Sequence, residues 1–311
     1  MRIKLFTHTD LDGVSCAVVL KYVMSEAIVD VIYCDYNDIN DAVKEFVESG
    51  EHENYDRVFI TDISVSREVG DMLDNLYHVS VFDHHATAEW MNKYSWATIR
   101  THYSDRGGEP TCGTSLLYDY LQSISTSCTD TYLGQYVNFV RMWDTWKWTE
   151  DEAKFRMSEY LSILCNLREH DLFVEGMIAT LRAGSDDVLR LCDYDMTCVM
   201  NEIRRRDEYV ENVSTSAVVL DDLMRGYSYI CTFADEYTSI VGNKLLRDNP
   251  GCMYAVIISL QFKTVSFRTA SDTFNTALEL AKPLGGGGHP KASGCPLPVS
   301  VESVMDFILN P

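Results

Sequence analysis

Four short apolar, β-branched stretches recur within the first 85 residues, and polar residues follow each of them. Three of these stretches are followed by segments with apolar positions at helical spacing. Short apolar runs bounded by polar residues predict buried strands, and their alternation with helical segments predicts βαβ units around a parallel sheet. The predicted strands cover residues 2–8, 29–34, 57–62 and 79–83. The predicted helices between them cover residues 14–24, 39–47 and 67–76.

The pattern changes twice further along the chain. From about residue 111 apolar positions follow helical spacing, and residues 155–212 are predicted to be entirely helical. Short β-rich runs return after residue 215, which predicts a second, smaller α/β domain with a mixed sheet. The fold class is therefore α/β, with predicted parts at 1–150 (parallel-sheet domain), 151–214 (helical connector) and 215–311 (C-terminal domain).

The amino-acid composition is typical of a globular protein. It has 311 residues, of which 46% are hydrophobic and 23% are charged. No leader-like N-terminus and no long apolar run is visible, so we expect a cytoplasmic protein without a membrane partner. The ten cysteines contain no Cys-x-x-Cys pair, which favours reduced, mostly buried thiols over a zinc knuckle or a disulfide framework.

The net charge of −21 restricts the possible partners. Affinity for long nucleic acid comes from lysine and arginine side chains that neutralise many phosphates, so long duplexes are excluded as substrates. A short anion can still bind where divalent cations and a few arginines reverse the local potential.

Acids and histidines gather where the predicted strands end. Ligands of parallel α/β sheets bind at the carboxyl ends of the strands, so these side chains should meet at one edge. Carboxylate oxygens suit hard divalent ions and imidazole shifts the preference toward transition metals, which predicts manganese before magnesium. Two such ions need a shared carboxylate and serve hydrolytic phosphoryl chemistry. The residues are His8, Asp10 and Asp12 after the first strand, Asp62 after the third, Asp83, His84 and His85 after the fourth, and Asp144 in a later aromatic segment.

Each of these residues alone has a simpler interpretation. A single Asp10 or Asp62 is typical of a turn or a helix cap, and a single His8 or His84 is typical of a hydrogen-bonded polar group. Three tryptophans flank Asp144 and are interpreted as packing residues: Trp143, Trp146 and Trp148. The coincidence of acids and histidines at three parallel strand ends favours a metal site for the set as a whole.

The same segments resemble the motifs of the DHH phosphoesterase superfamily and of its associated C-terminal domain, and within it they are most similar to the NrnB-type oligoribonucleases, or nano-RNases. One departure is Trp143, where the family has tyrosine. The resemblance covers both ends of the chain, in His8-Thr-Asp10-Leu-Asp12-Gly13-Val14, Phe59-Ile60-Thr61-Asp62, Asp83-His84-His85, Thr114-Ser-Leu-Leu-Tyr118, Asp144-Thr145-Trp146 and Gly285–Gly294.

The resemblance implies how the first group of residues divides its work. One metal takes His8, Asp10 and Asp62. A second metal takes Asp12, His84 and Asp144 and shares Asp62 as the bridge. Asp83 then orients a histidine, as carboxylates around metal sites commonly do. His85 faces the scissile phosphate or the leaving oxygen as an acid or a stabilising donor.

The glycine run from Gly285 to Gly294 is a second candidate site. Glycines let backbone N–H groups approach an anion, but a glycine run is at least as often a flexible loop. The resemblance favours binding of the nucleotide and its phosphate by this loop. Arg268 matches the family's substrate-binding arginine, although alone it would be interpreted as a surface arginine. The candidate substrate-binding residues are Gly286, Gly287, Gly288, His289, Lys291, Arg268 and, with less support, Asn243, which can equally be a capping or packing residue.

The sequence and the resemblance together predict a phosphodiesterase or exonuclease that degrades oligonucleotides of two to five residues to mononucleotides by two-metal hydrolysis. The expected cofactors are two Mn²⁺ ions, with Mg²⁺ or Co²⁺ as alternatives, and a homodimer is compatible with the sequence. An alternative enzyme acts on linear or cyclic dinucleotide signals or on a nucleoside 3',5'-bisphosphate. An alternative outside enzymology is a nucleotide sensor or sponge, which would bind without turnover.

Overall fold

A computed structural model describes residues 1–124, 131–184 and 189–298. The chain divides into two compact units, Met1–Val199 and Met200–Pro311. Residues 299–311 of the predicted C-terminal domain and residues 185–188 of the predicted helical region lie outside the described residues. The division into three parts at residues 150 and 214 stays a prediction.

The first unit is built around a five-stranded parallel sheet with the strand order β2-β1-β3-β4-β5, which confirms the predicted fold class. The fifth strand was not predicted, since a run of three residues is too short to give a period-two signal. It pairs with β4 through Val81, Phe82 and Asp83. The strands are β1 (Arg2–His8), β2 (Ile28–Cys34), β3 (Arg57–Thr61), β4 (Val79–Asp83) and β5 (Ala97–Ile99).

Three helices connect the strands of this sheet: α1 (Leu11–Val23), α2 (Ile39–Glu48) and α3 (Arg67–Leu73). Helix α1 is buried from Leu11 to Leu20, and this agrees with its almost uninterrupted apolar sequence. Its N-cap is Asp10, whose Oδ1 accepts a hydrogen bond of 3.0 Å from the Gly13 N–H. A predicted metal ligand is therefore also a helix cap.

From Gly113 onward the described residues of the first unit are mainly helical, as the apolar spacing predicted, and the last helix continues past Val199. The helices are α4 (Gly113–Ile124), α5 (Thr131–Asp144), α6 (Glu152–Leu167), α7 (His170–Ala183) and α8 (Asp193–Thr215). Helices α4, α5 and α7 pack against α1. The strands of the sheet carry the site residues at their ends.

The second unit contains a six-stranded mixed sheet with the order β10-β11-β9-β8-β7-β6, of which only β7 and β8 run parallel to each other. Helix α9 (Thr238–Asp248) packs on β8 and β9. The glycine run lies largely within β10 and β11, and these two strands were not predicted. The strands are β6 (Val218–Asp222), β7 (Tyr227–Phe233), β8 (Tyr254–Ser259), β9 (Thr264–Arg268), β10 (Gly287–His289) and β11 (Ala292–Pro296).

Two general expectations can be compared with the described residues. Nine cysteines are free thiols and most of them are at least partly buried, whereas Cys128 lies outside the described residues. None of the described helices is both long enough and apolar enough to cross a membrane.

Candidate metal centre and substrate-binding residues

Asp62 lies at the centre of the predicted metal site. It follows the last residue of β3 and has a φ of 58°, a left-handed conformation that Asp tolerates better than most residues. Its side chain is only 1% exposed. Neither carboxylate oxygen has a hydrogen-bond partner among the described residues. A buried carboxylate that accepts no hydrogen bond is costly, unless a cation compensates it.

On one side of Asp62 lie His8 and Asp10. Nδ1 of His8 is 3.1 Å from Asp10 Oδ2 and 3.7 Å from Asp62 Oδ2. One ligand atom from each of the three residues lies within 4.8 Å of the others, close enough to hold one ion. The structure therefore brings together the three residues predicted for the first metal.

On the other side of Asp62 lie Asp12, His84 and Asp144, which form a second group of the same kind. Nε2 of His84 is 3.9 Å from Asp12 Oδ2, 3.5 Å from Asp144 Oδ2 and 3.2 Å from Asp62 Oδ1. The four residues predicted for the second metal thus lie together, with Asp62 between the two groups. Helix α5 ends at Asp144, so the last turn of this helix places the carboxylate.

Asp12 has a second task that the sequence did not reveal. Its Oδ2 accepts a hydrogen bond of 2.5 Å from the Gly113 N–H, and its Oδ1 accepts one of 2.9 Å from the Thr114 N–H. These are the first amides of α4, whose helix dipole favours a carboxylate there. Asp12 therefore joins the N-terminus of α4 to the metal site, across 101 residues of sequence.

Asp83 and His85 form a separate contact at the end of β4. Nδ1 of His85 lies 2.7 Å from Asp83 Oδ1, which also accepts hydrogen bonds from the backbone N–H groups of His84 and His85. Because a carboxylate only accepts, Nδ1 carries the proton and Nε2 is free to accept one. The Tyr36 hydroxyl lies 3.2 Å from this Nε2.

Asp62, Asp83, His84 and His85 form a further group with ligand spacing. The Asp83 oxygen that faces His85 is already occupied by three N–H groups, which favours an orienting role for Asp83. Sequence reasoning missed Tyr36. The strand-end argument could have found it, since it follows β2, the neighbour of β1.

Burial and mutual repulsion shape the electrostatics of the centre. Burial, together with the charges of Asp12 and Asp10, raises the pKa of both Asp62 and Asp144 well above the usual aspartate value. Burial lowers the pKa of His84, so its neutral, metal-binding form is favoured. The hydrogen bond to Asp83 raises the pKa of His85.

The buried polar atoms of the centre fit divalent cations. Six buried atoms of five residues in the centre have no hydrogen-bond partners among the described residues, namely His8 Nδ1, Asp62 Oδ1 and Oδ2, Asp83 Oδ2, His84 Nε2 and Asp144 Oδ2. They point to the same small region from two sides of Asp62. A set of carboxylates with two imidazoles suits a divalent cation, which would satisfy these atoms and remove the repulsion.

Arg268, the predicted substrate-binding arginine of the second unit, lies at the end of β9 beside α9. Its Nη2 donates to Ser239 Oγ at 2.8 Å and its Nη1 donates to the Phe267 carbonyl at 2.8 Å. No acidic side chain within the described ranges forms an ion pair with it. Gly242 makes room for it, since a Cβ there would lie 2.7 Å from Arg268 Cγ. Burial lowers the pKa of this guanidinium.

Asn243 is exposed on α9, four residues after Ser239 and therefore on the same side of the helix. Ser239, Asn243 and Arg268 thus offer polar groups from two neighbouring elements. Ser239 was not predicted, because a serine in the first turn of a helix is normally read as a capping residue.

The predicted glycine loop has a structural role of its own. A Cβ on Gly286 would lie 2.0 Å from the Gly294 carbonyl oxygen, and one on Gly288, whose φ is 131°, would lie 2.7 Å from the Ala292 oxygen. Glycine is thus required for the β10–β11 hairpin itself. Gly287 and His289 are exposed, and Lys291 Nζ lies 2.5 Å from Asp272 Oδ1.

Comparison with known proteins adds relatives to this geometry. No family model matches the chain. The chain is 33% identical over 296 residues to the oligoribonuclease NrnB of Bacillus subtilis (strain 168), an alignment that covers 94% of this chain and 72% of that protein.

Two solved structures show the same fold at low sequence identity. The pGpG-specific phosphodiesterase PggH from Vibrio cholerae matches with a TM-score of 0.56 at 16% identity, covering 99% of this chain and 97% of that one. RecJ from Thermus thermophilus in complex with Mn²⁺ matches with a TM-score of 0.57 at 15% identity, covering 99% of this chain and 51% of that one. With one third of its residues identical to NrnB over most of both chains, this protein belongs to the NrnB family of the DHH phosphoesterase superfamily and is a hydrolase of phosphoester bonds.

Proposed function

We propose that the protein is a manganese-dependent phosphodiesterase that degrades di- to pentanucleotides to mononucleotides. The observation that carries the proposal is Asp62, a buried carboxylate with two unpartnered oxygens between two groups of ligand residues. Its family supports an oligonucleotide substrate, since the relative at 33% identity is an oligoribonuclease.

Two divalent ions are proposed to share Asp62. His8 and Asp10 would complete the first set of ligands, and Asp12, His84 and Asp144 the second. Bound there, the ions would lower the pKa of water and neutralise charge on the phosphate. Mn²⁺ is proposed because imidazole and carboxylate occur together, and Mg²⁺ or Co²⁺ are the alternatives.

His85 is proposed as the residue that meets the substrate. Asp83 holds its Nδ1–H, so the ring is oriented and only Nε2 is left to act. When protonated, Nε2–H can donate to a phosphate oxygen or give its proton to the leaving oxygen. The Tyr36 hydroxyl occupies this nitrogen in the structure and would have to yield it to the substrate. In this proposal Asp83 positions His85, Asp62 binds metal and His85 acts on the phosphate.

The second unit is proposed to bind the nucleotide through Arg268 and its neighbours. A guanidinium without an acidic partner can form two parallel hydrogen bonds with a phosphate. Asn243, His289 and Lys291 are proposed as further donors, and the backbone of Gly286, Gly287 and Gly288 as the surface that lets a phosphate approach.

The proposal includes a preference for short substrates. With a net charge of −21, the chain offers no basic track for a long strand, so affinity comes from a few local contacts. A cytoplasmic location and a homodimer remain predictions.

The test is a hydrolysis assay on ribonucleotides of increasing length with Mn²⁺, alongside cyclic dinucleotides and a nucleoside 3',5'-bisphosphate. We expect di- to pentanucleotides to be the best substrates, and Asp62→Asn to lose at least about 10²-fold in kcat. The exposed Asp41→Asn is the matched control and should keep full activity. Intact dinucleotides after incubation with the wild-type protein would contradict the proposal.

A further inference from the structure

Three indole rings cluster around the turn that follows Asp144. Trp143 and Trp148 lie 5.2 Å apart with planes 25° from parallel, Trp143 and Trp146 are 6.3 Å apart at 22°, and Trp146 and Trp148 are 6.4 Å apart at 33°. We call these three residues the tryptophan cluster. The three ring planes lie within 33° of one another.

The packing role expected for these residues does not hold for Trp146. Trp146 is 51% exposed, whereas Trp143 and Trp148 are partly buried. Single exposed apolar side chains are common on protein surfaces, so the exposure of Trp146 gains meaning only together with its backbone conformation and its neighbours.

The backbone of Trp146 supports the same view. Its φ of 59° and ψ of 10° place it in the left-handed region, which a bulky side chain rarely adopts. Strained residues of this kind cluster at functional sites, where the surrounding structure holds them. Here the strain occurs at the turn between α5 and the short helix at Lys147–Glu150, and it accompanies the exposed indole.

The cluster is adjacent to the proposed chemistry. Asp144 lies between Trp143 and Trp146 in the chain, and two residues of backbone span at most about 7 Å. The Cα of Trp146 therefore lies within about 7 Å of the Cα of a proposed metal ligand, a separation that a nucleotide can span.

A polar cavity with both basic and acidic side chains is lined by the neighbours of Trp146 in the chain. A cavity of about 520 Å³ is lined by Thr145 and Lys147, which flank Trp146, together with Arg141, His102 and the acids Glu109 and Glu150. Arg141 is fixed by hydrogen bonds to Asn138 and to the Pro110 carbonyl and by an ion pair of 3.0 Å with Glu109. The buried Nε1 of Trp148 has no hydrogen-bond partner among the described residues, which leaves a donor available.

We propose that Trp146, backed by Trp143 and Trp148, is the platform on which one nucleobase of the substrate stacks; this rests on the proposed function. Stacking on an indole tolerates every base, because each base has a π-face. It also supplies affinity that does not depend on positive charge, and the chain carries a net charge of −21. The ligand class is thus an unpaired nucleobase of any identity.

The test measures binding of a non-hydrolysable dinucleotide with a methylenephosphonate linkage to the metal-loaded protein by calorimetry. Trp146→Ala should weaken binding about tenfold or more, and Trp146→Phe should restore most of the affinity because it keeps an aromatic face. Tyr77→Ala removes another exposed aromatic side chain of the same unit and should bind as the wild type does.

Two analogues, each lacking one base, identify the stacked base. The wild type should bind one of the analogues more weakly than the full dinucleotide, by the same factor by which Trp146→Ala weakens binding of the full dinucleotide. The wild type and Trp146→Ala should bind that analogue equally well. Equal affinity of wild type and Trp146→Ala for the full dinucleotide overturns the platform. The platform is also overturned if Trp146→Ala binds both analogues more weakly than the wild type does, by the same factor as for the full dinucleotide. Hydrolysis by the wild type tests the proposed function separately.

Discussion

Gly113 lies against Asp62 so closely that a Cβ at position 113 would be 2.6 Å from Asp62 Cβ and 2.9 Å from its Cα. The left-handed backbone of Asp62 and the first residue of α4 therefore fit only when position 113 has no side chain. Since the Gly113 amide also holds Asp12, this one residue fixes two of the proposed metal ligands.

Gly113→Ala should consequently damage the metal centre without removing any ligand. We expect the added methyl group to displace Asp62 or the start of α4, to weaken Mn²⁺ binding and to reduce kcat by at least about tenfold. Overpacking of this kind typically costs about 1–3 kcal/mol of stability. Calorimetric Mn²⁺ titration and thermal unfolding measure the two effects.

Gly134→Ala is the matched control for this variant. It lies in α5, where a Cβ would meet, among the described residues, only the Tyr118 hydroxyl at 3.4 Å. Alanine is the better helix former, so stability should be unchanged or slightly higher. Equal Mn²⁺ affinity in the wild type and Gly113→Ala would show that the contact with Asp62 does not position the ligand.

Much of this architecture could be predicted from local sequence. The β-branched runs before His8, Asp62 and Asp83 predicted three parallel strands, and the strand-end rule then placed their acids and histidines at one edge. What escaped prediction depends on contacts between distant residues. The Gly113–Asp62 and Asp12–Thr114 contacts join segments far apart in sequence, and no period or capping pattern encodes them.

Trp146 shows the same limit in another form. A tryptophan between Thr145 and Lys147 is most simply expected in a core, and its exposure follows from a left-handed turn that the tertiary structure imposes. Hydrophobic pattern predicts which residues prefer burial, but not which of them the backbone turns outward.

His84→Ala and His85→Ala should have different effects, although the residues are adjacent. Nε2 of His84 lies 3.2 Å from Asp62 Oδ1, within a ligand group, so its removal should lower Mn²⁺ affinity by about 10–100-fold. His85 is held by Asp83 and Tyr36, so its removal should lower kcat about 10²–10⁴-fold with Mn²⁺ retained. Metal titration and turnover are measured on both variants. An equal loss of Mn²⁺ in both would refute the division of roles.

Removal of metal should reveal the repulsion among the carboxylates. In chelator, Asp62→Asn should be more stable than the wild type by about 1–3 kcal/mol, because it removes a buried charge that accepts no hydrogen bond. Asparagine tolerates the φ of 58° at this position. At 100 times the dissociation constant, Mn²⁺ should stabilise the wild type by about 2.7 kcal/mol and leave Asp62→Asn almost unchanged.

Thermal unfolding of both proteins, with and without metal, checks this reversal. Asp41→Asn again serves as the control, because it removes one exposed charge from the same unit and should respond to metal as the wild type does. A wild-type protein that is more stable than Asp62→Asn in chelator would argue that the Asp62 carboxylate has a partner other than a cation.

Arg268 should contribute to substrate binding through the shape of its guanidinium as well as its charge. Arg268→Ala should raise KM for a dinucleotide by about 10–100-fold, the usual range for losing hydrogen bonds to a charged group. Arg268→Lys should recover only part of this, since an ammonium cannot form the two parallel bonds.

Gly242→Ala should also raise KM, because its methyl group would lie 2.7 Å from Arg268 Cγ and push the side chain away from Ser239. The control is Arg247→Ala, which removes an exposed arginine from α9, the helix that carries Gly242. Steady-state kinetics separate KM from kcat, and a wild-type KM in Arg268→Ala would exclude the arginine from the substrate site.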